Sequence, residues 1–425
     1  MGHRILACPG RILRLALLLA AGGCGDSPAG PTTPGPDDEL RRRFDLRALG
    51  EIPYPPDNLP SASRIALGRL LFSDPILSGE MDVACATCHH PSLTFADGRQ
   101  FSVGASGVGR GPGRVASASR ITGLPIGLEP RNSPTVLNAA FNADETGLPS
   151  HLGFQFWDGR ARGLEEQARG PLTSRTEMAG DAYPADVARD SVVARLRGIA
   201  QYVELFRESF PAEAEVLAGA EVIAMDTYGR AVAAYERELV TRNSAFDRYA
   251  RGEDGALTGQ QKLGLELFFT RARCSSCHGG PMFSDFLFHV LGVPQEGGGK
   301  DVLPGDDTGR EEHTLSPADR YAFRTPTLRN AELTAPYMHD GALATLEDVV
   351  RFYDKGAAPR HPAVGDALVD PVVRDPLGLT DEEVSAIVEF LRALTDPGTG
   401  LDPTLLSVPA SVPSGLEPVF GVRAP

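Results

Sequence analysis

The sequence predicts a mainly α-helical protein built from two similar halves, and three observations lead there. The pentapeptide Cys-x-x-Cys-His occurs twice, as Cys85-Ala86-Thr87-Cys88-His89 and as Cys274-Ser275-Ser276-Cys277-His278. Each copy follows a related stretch, Leu67-Gly68-Arg69-Leu70-Leu71-Phe72 before the first and Leu263-Gly264-Leu265-Glu266-Leu267-Phe268 before the second. This internal repeat makes two domains of one plan the economical arrangement. Apolar residues recur at three-to-four spacing between and after the motifs, and no run alternates as a sheet strand would.

Cys-x-x-Cys-His is the attachment sequence of c-type haem. Two thiols at that spacing form thioethers with the two vinyl groups of one porphyrin, and the next residue sets an imidazole under the iron. Cys85, Cys88 and His89 are thus expected to hold one haem, and Cys274, Cys277 and His278 a second. The chain has six cysteines; Cys8 and Cys24 lie near the N-terminus, so none is left for a disulfide. A redox Cys-x-x-Cys pair, or a zinc site sharing all four thiolates, is the alternative for such thiols. The histidine after both pairs and an export signal weigh against both. The 425 residues carry a net charge of −15, which argues against nucleic acid and anionic membrane surfaces but leaves an acidic face for a basic redox partner.

In chain order, residues 1–24 read as a signal peptide, with a basic start at His3, Arg4, Arg11 and Arg14 and an apolar run over residues 13–21 too short to span a bilayer. Ala21-Gly22-Gly23-Cys24 is similar to a lipoprotein cleavage site that would lipidate Cys24; the alternative is an ordinary secretory cut nearby. Either route leads to the periplasm. Residues 25–45 read as a flexible linker, rich at first in Gly, Pro, Ser and Thr. The N-terminal haem domain is expected over 46–245 and the C-terminal one over 246–397, with a Pro-rich tail at 398–425. Helices are predicted over Ser61–Phe72, Val192–Phe210, Ala220–Thr241, Leu346–Tyr353 and Val384–Leu394. Capping boxes at Thr258-Gly259-Gln260-Gln261, Thr345-Leu346-Glu347-Asp348 and Thr380-Asp381-Glu382-Glu383 start three helices. Ala105–Glu129 and Asp144–Gly153 read as Gly/Pro-punctuated loops.

Beyond the haem motifs, several stretches resemble one family, the bacterial di-haem cytochrome c peroxidases and their relative MauG. They are Pro130-Arg131-Asn132-Ser133-Pro134-Thr135, Phe156-Trp157-Asp158-Gly159-Arg160, Glu166-Gln167-Ala168-Arg169-Gly170-Pro171, Thr176-Glu177-Met178, Phe323-Arg324-Thr325-Pro326-Thr327-Leu328-Arg329-Asn330 and Thr334-Ala335-Pro336-Tyr337-Met338-His339-Asp340-Gly341. The resemblance covers roughly Leu46 to Leu394. It implies two cytochrome-c-like haem domains packed face to face, with long irregular loops. The first haem would meet hydrogen peroxide, with His89 proximal. The second, with His278 proximal, would relay electrons. Trp157, the only tryptophan, would lie between them and carry a hole. Glu177 matches the acid of the peroxide pocket, where a carboxylate moves a proton between the peroxide oxygens. Gln167 and Pro171 match other pocket residues. Asn132, with the carbonyls of Thr334 and Pro336, matches an interdomain Ca²⁺ site. Arg324 and Arg329 are candidates for haem propionates.

Two positions depart from the ordinary peroxidases. Those enzymes close the first haem with a histidine after Ser-Val-Gly; here that residue is Ala105, which cannot ligate. They also place a methionine fourteen residues after the histidine of Pro-Tyr-x-His; here it is Tyr353, as in MauG, with Met338 the second choice as axial ligand. A phenolate favours ferric iron where a thioether favours ferrous. The two changes together imply reaction with peroxide directly from the diferric state. Three readings follow. The first is reduction of hydrogen peroxide to water with electrons from a small periplasmic donor, a cytochrome c or cupredoxin. The second is MauG-like oxidation of side chains on a partner protein. The third, from another class, is a pure electron carrier, against which Ala105 and Glu177 argue. A homodimer is among the expected partners; nucleic acid is not.

Overall fold

The computed structural model describes residues 35–295, 306–396 and 398–421. The signal peptide and Cys24 lie outside the described residues, as does most of the linker. The fold is helical. Its only strands among the described residues are three two-residue antiparallel ladders: Gly107–Val108 with Val115–Ala116, Phe154–Gln155 with Ala161–Arg162, and Phe288–His289 with Phe323–Arg324. All three capping boxes form; in one, the Thr258 side chain accepts from Gln261 N at 3.2 Å while Gln261 Oε1 accepts from Thr258 N at 3.0 Å. The expected helix over Val192–Phe210 is two, Ala185–Arg197 and Ala200–Ser209, because Gly198 and the extended Ile199 interrupt it.

Two hydrophobic cores organise the chain, and each is built on one crossed pair of helices. In the first, Ala62–Ser73 crosses Met225–Glu238, bringing Leu67, Leu71, Phe72, Tyr228 and Tyr235 together. In the second, Gly259–Phe269 crosses Asp381–Arg392, joining Leu265, Phe268, Ile387 and Phe390. The repeat's glycine explains the closeness of both crossings. A Cβ on Gly68 would strike the carbonyl oxygen of Ala231, and one on Gly264 that of Ala386. The residue one turn later, Tyr235 or Phe390, presents its Cβ at 2.9 Å from that same point in both crossings. The repeat therefore extends to partner helices that do not look alike in sequence.

The ends of the chain are crossed between the cores. The linker expected to run flexibly to residue 45 is instead helical over Pro36–Arg43. Pro36 opens that helix, Asp37, Asp38 and Glu39 fill its first turn and Arg41, Arg42 and Arg43 its last, the charge order the helix dipole favours. It docks on the second core. Tyr249 donates to Asp37 at 2.8 Å, Lys262 pairs with Asp37 at 2.6 Å, and Phe44 stacks on Phe269 at 5.0 Å. The tail returns to the first core: Tyr235 donates to Leu405 O at 2.8 Å, Ser414 to Asp74 at 2.6 Å, and Val419 is fully buried. At the junction between halves, Arg131 is bracketed by Asp158 at 2.6 Å and Asp307 at 2.7 Å.

Candidate haem and peroxide site

One cavity of about 830 Å³ runs between the halves and is lined by residues of both Cys-x-x-Cys-His motifs. The two motifs present their histidines in the same way. His89 Nδ1 lies 3.1 Å from Phe95 O, and His278 Nδ1 lies 2.9 Å from Phe283 O. A carbonyl only accepts, so Nδ1 carries the proton in both rings and the Nε2 lone pair is left for iron. Burial lowers both imidazoles from their ordinary 6.5, which keeps them neutral as ligation requires. The four cysteines are unpaired, and burial pushes the Cys85 and Cys274 thiols up to about 12. These are not poised thiolates of a redox pair. The donor set, its repetition and the shared cavity fit two covalent porphyrins.

The residues expected at a peroxide pocket come from separate elements, and all three line this cavity. Gln167 ends the helix Gly163–Gln167, Pro171 opens a 3₁₀ turn, and Glu177 sits in a π-helical turn, Arg175–Ala179. Ser174 Oγ caps that turn by accepting from Glu177 N at 3.2 Å. Burial pushes the Glu177 carboxyl up, with Arg160 opposing. Ala105 is buried, and its N–H donates to Thr176 O at 3.0 Å, so the stretch after Ser102-Val103-Gly104 is stitched to the Glu177 turn and brings no ligating side chain. A Cβ on Gly104 would strike the Thr176 carbonyl.

Phe156-Trp157-Asp158-Gly159-Arg160 is the tip of the Phe154–Gln155/Ala161–Arg162 hairpin, and Arg160 lies 3.6 Å over the Phe156 ring. Trp157 lines the cavity and its indole donates to Asn132 O at 2.9 Å. Beside it His339 stacks on Phe323 at 3.8 Å, and Asn132 N donates to His339 O at 2.7 Å. Asn132, Thr334 and Pro336 share the cavity wall. The Asn132 amide donates to Arg99 O at 2.7 Å, which turns its Oδ1 to other use.

Tyr353 and Met338 both line the cavity on the side of the second motif and pack in one cluster with Val293 and Phe352. Burial pushes the Tyr353 phenol up, and the Cys277 and Cys274 thiols add to the shift, so its hydroxyl lies near that motif's sulfurs. Of the two arginines expected at propionates, Arg329 is engaged elsewhere: it clamps Asp247 at 2.8 and 2.9 Å, both buried. Arg324 lines the cavity with its guanidinium lowered to about 10 by burial, and only its Nε is tied, to Phe156 O at 3.0 Å. His289, close after the second motif, is held between Asp285 at 3.0 Å and Asp370 at 2.7 Å. Sequence reasoning missed two acids of the cavity lining, the part-buried Glu129 and the buried Glu236; each stands in a local pattern that gives no hint of its place there.

The family model described as "Di-haem cytochrome c peroxidase" matches residues 62–255. MauG of Methylorubrum extorquens is 35% identical over 357 residues, covering 84% of this chain and 84% of that protein. Cytochrome-c peroxidase IdrP1 of a Pseudomonas species is 34% identical over 386 residues, covering 85% and 88%. The chain belongs to the di-haem cytochrome c peroxidase family. A solved MauG-like protein associated with microbial copper homeostasis superposes with a TM-score of 0.66 at 29% identity, covering 85% of this chain and 96% of that one. As a family member the chain carries two haem c, and its helical halves are those of the MauG-like di-haem peroxidases. Among the described residues no helix is long and apolar enough to cross a membrane.

Proposed function

We propose that this protein reduces hydrogen peroxide to water at the first haem, with electrons relayed through the second from a small periplasmic cytochrome c or cupredoxin. The observation that carries this reading is the lining of the cavity. Glu177, Gln167 and Pro171 line it together with Cys85, Cys88 and His89, while Ala105, hydrogen-bonded to Thr176 O in the Glu177 turn, offers no ligand that would close the site. The haem supplies the redox centre. The residues would supply the rest: His89, oriented by Phe95 O, would offer a neutral ring nitrogen; Glu177, its carboxyl pushed up by burial, would handle protons; Trp157, fixed by Asn132 O, would stand on the path to the other half. Asn132 Oδ1 with the carbonyls of Thr334 and Pro336 would hold one Ca²⁺ at the junction of an N-terminal domain (46–245) and a C-terminal one (246–397). Cys24 would anchor the mature chain to a periplasmic membrane face.

Tyr353 favours a second reading, in which the protein oxidises side chains of a partner, as MauG-like enzymes do. A phenolate at the second iron suits ferric and higher states. It would make that haem a poor store of a ferrous electron.

Stopped-flow absorption of the resting diferric protein mixed with peroxide tests both. A fast change without prior reduction, altered in Tyr353→Phe, supports an open first haem and a Tyr-ligated second. Reaction only after one-electron reduction means a hidden sixth ligand blocks the first haem, and it overturns the readings of Ala105 and Tyr353. No reaction in either state leaves a pure electron carrier.

A further inference from the structure

Glu129 is an acid of the cavity lining that neither the motifs nor the resemblance pointed to. It precedes Pro130, its N–H donates to Ser102 O at 2.9 Å, and its side chain enters the cavity beside Glu177. Its Oε1 is closed to solvent and has no hydrogen-bond partner among the described residues. Both carboxyls reach the same end of the first motif, since each acts on the Cys88 thiol. The groups facing the pair are few. Arg160 acts on both, Asp158 acts on Glu177, the Thr176 hydroxyl eases Glu129 and the Ser174 hydroxyl eases Glu177. One guanidinium beside two part-buried carboxyls favours a single negative charge on the pair.

We propose that Glu129 is a second proton-handling residue of the peroxide pocket and works with Glu177 as a pair that holds one proton between them. This rests on the peroxidase reading above. Reduction of one H2O2 to two waters consumes two electrons, which the redox donor supplies through the haems, and two protons, which solvent supplies; the pair itself only moves a proton from one peroxide oxygen to the other. When the O–O bond breaks, the departing oxygen leaves as water only if a proton meets it. A lone carboxylate must take the proton from one oxygen and then return it to the other. A pair that holds one proton does both together: the ionised member takes, the protonated member gives, and the pair ends each cycle as it began. Carboxyls at close quarters do not both ionise. In agreement, burial and then the Glu177 charge push Glu129 up to about 8.

The test compares the holoprotein with Glu129→Gln, Glu177→Gln and the double variant. Two readouts serve: the pH profile of the diferric reaction with peroxide, and the infrared carbonyl band of a protonated buried acid in the resting protein. The expected result is a loss of about 10²-fold in the peroxide rate constant for each single variant. The double variant should be no worse than either, since the two act as a unit. The infrared band near neutral pH should change in both single variants. A Glu129→Gln protein with wild-type rate, pH profile and infrared band overturns the proposal, as do single losses that multiply in the double variant. If the wild-type protein ignores peroxide, the proposed function falls; the infrared band alone then decides, and a band untouched by Glu129→Gln refutes the pair.

Discussion

Tyr353 closes a helix, Leu346–Asp354, whose other inward residues, Leu346 and Val350, serve the second core. Periodicity alone reads it as one more core aromatic, and only its spacing from His339 singled it out. Glu177 and Trp157 were singled out in the same way, through short motifs whose local geometry is a π-helical turn and a hairpin tip. Glu129 and Glu236 were not, because nothing adjacent in sequence marks an acid as part of the cavity lining; that place is decided by helices that pack from far along the chain. Glu236 has a measurable consequence. It is 4% exposed, its Oε2 has no partner, and burial pushes it from an ordinary 4.5 up to about 8. Its folded pKa lies above its unfolded one, so the native state holds a proton that the unfolded chain has released. The resulting stabilisation is whole below about pH 4.5, shrinks as pH rises, and is gone above about 8. The slope reaches up to about 1.4 kcal/mol per pH unit. Melting temperature followed across that window should fall for the wild-type protein and fall less for Glu236→Gln; parallel curves would sink the assignment.

At the scale of elements, the repeat before each haem motif marked the first helix of each crossing but not the second. Ala231–Tyr235 and Ala386–Phe390 share only a small residue followed one turn later by an aromatic one, a likeness visible only once Gly68 and Gly264 are seen pressed against them. Gly68→Ala forces the Ala62–Ser73 and Met225–Glu238 helices apart. The expected cost is about 1–3 kcal/mol, read as a lower urea midpoint. Gly255→Ala, where an added Cβ meets nothing within 4 Å, serves as the control and should leave the midpoint in place. Equal midpoints for both variants would mean the close crossing carries no stability. The helix Pro36–Arg43 shows the opposite failure. Its charge order was present in the sequence, but the Pro-rich stretch before it suggested a tether, and its docking on Tyr249 is a long-range contact that local reasoning does not reach.

For the whole molecule, the two haem motifs and the fold class were legible because covalent attachment and helical period are local. The crossing of the ends was not. Val419 fills the first core, and Thr87, inside the first motif, donates to Val419 O at 2.7 Å. Ending the chain at residue 397 removes a fully buried side chain, worth about 1.5–3 kcal/mol. It also removes the acceptor of the buried Thr87 hydroxyl proton, whose oxygen still accepts from Ala84 N, at about 1–3 kcal/mol. Haem content at each motif, measured by mass spectrometry of the haem peptides, should drop at the first and hold at the second. Equal occupancy in the truncated chain would show the tail to be dispensable.

The Thr87–Val419 bond also joins two points 332 residues apart in the chain. The first attachment sequence is thus no self-contained cassette, for a carbonyl from the far end of the described residues completes its hydrogen bonding.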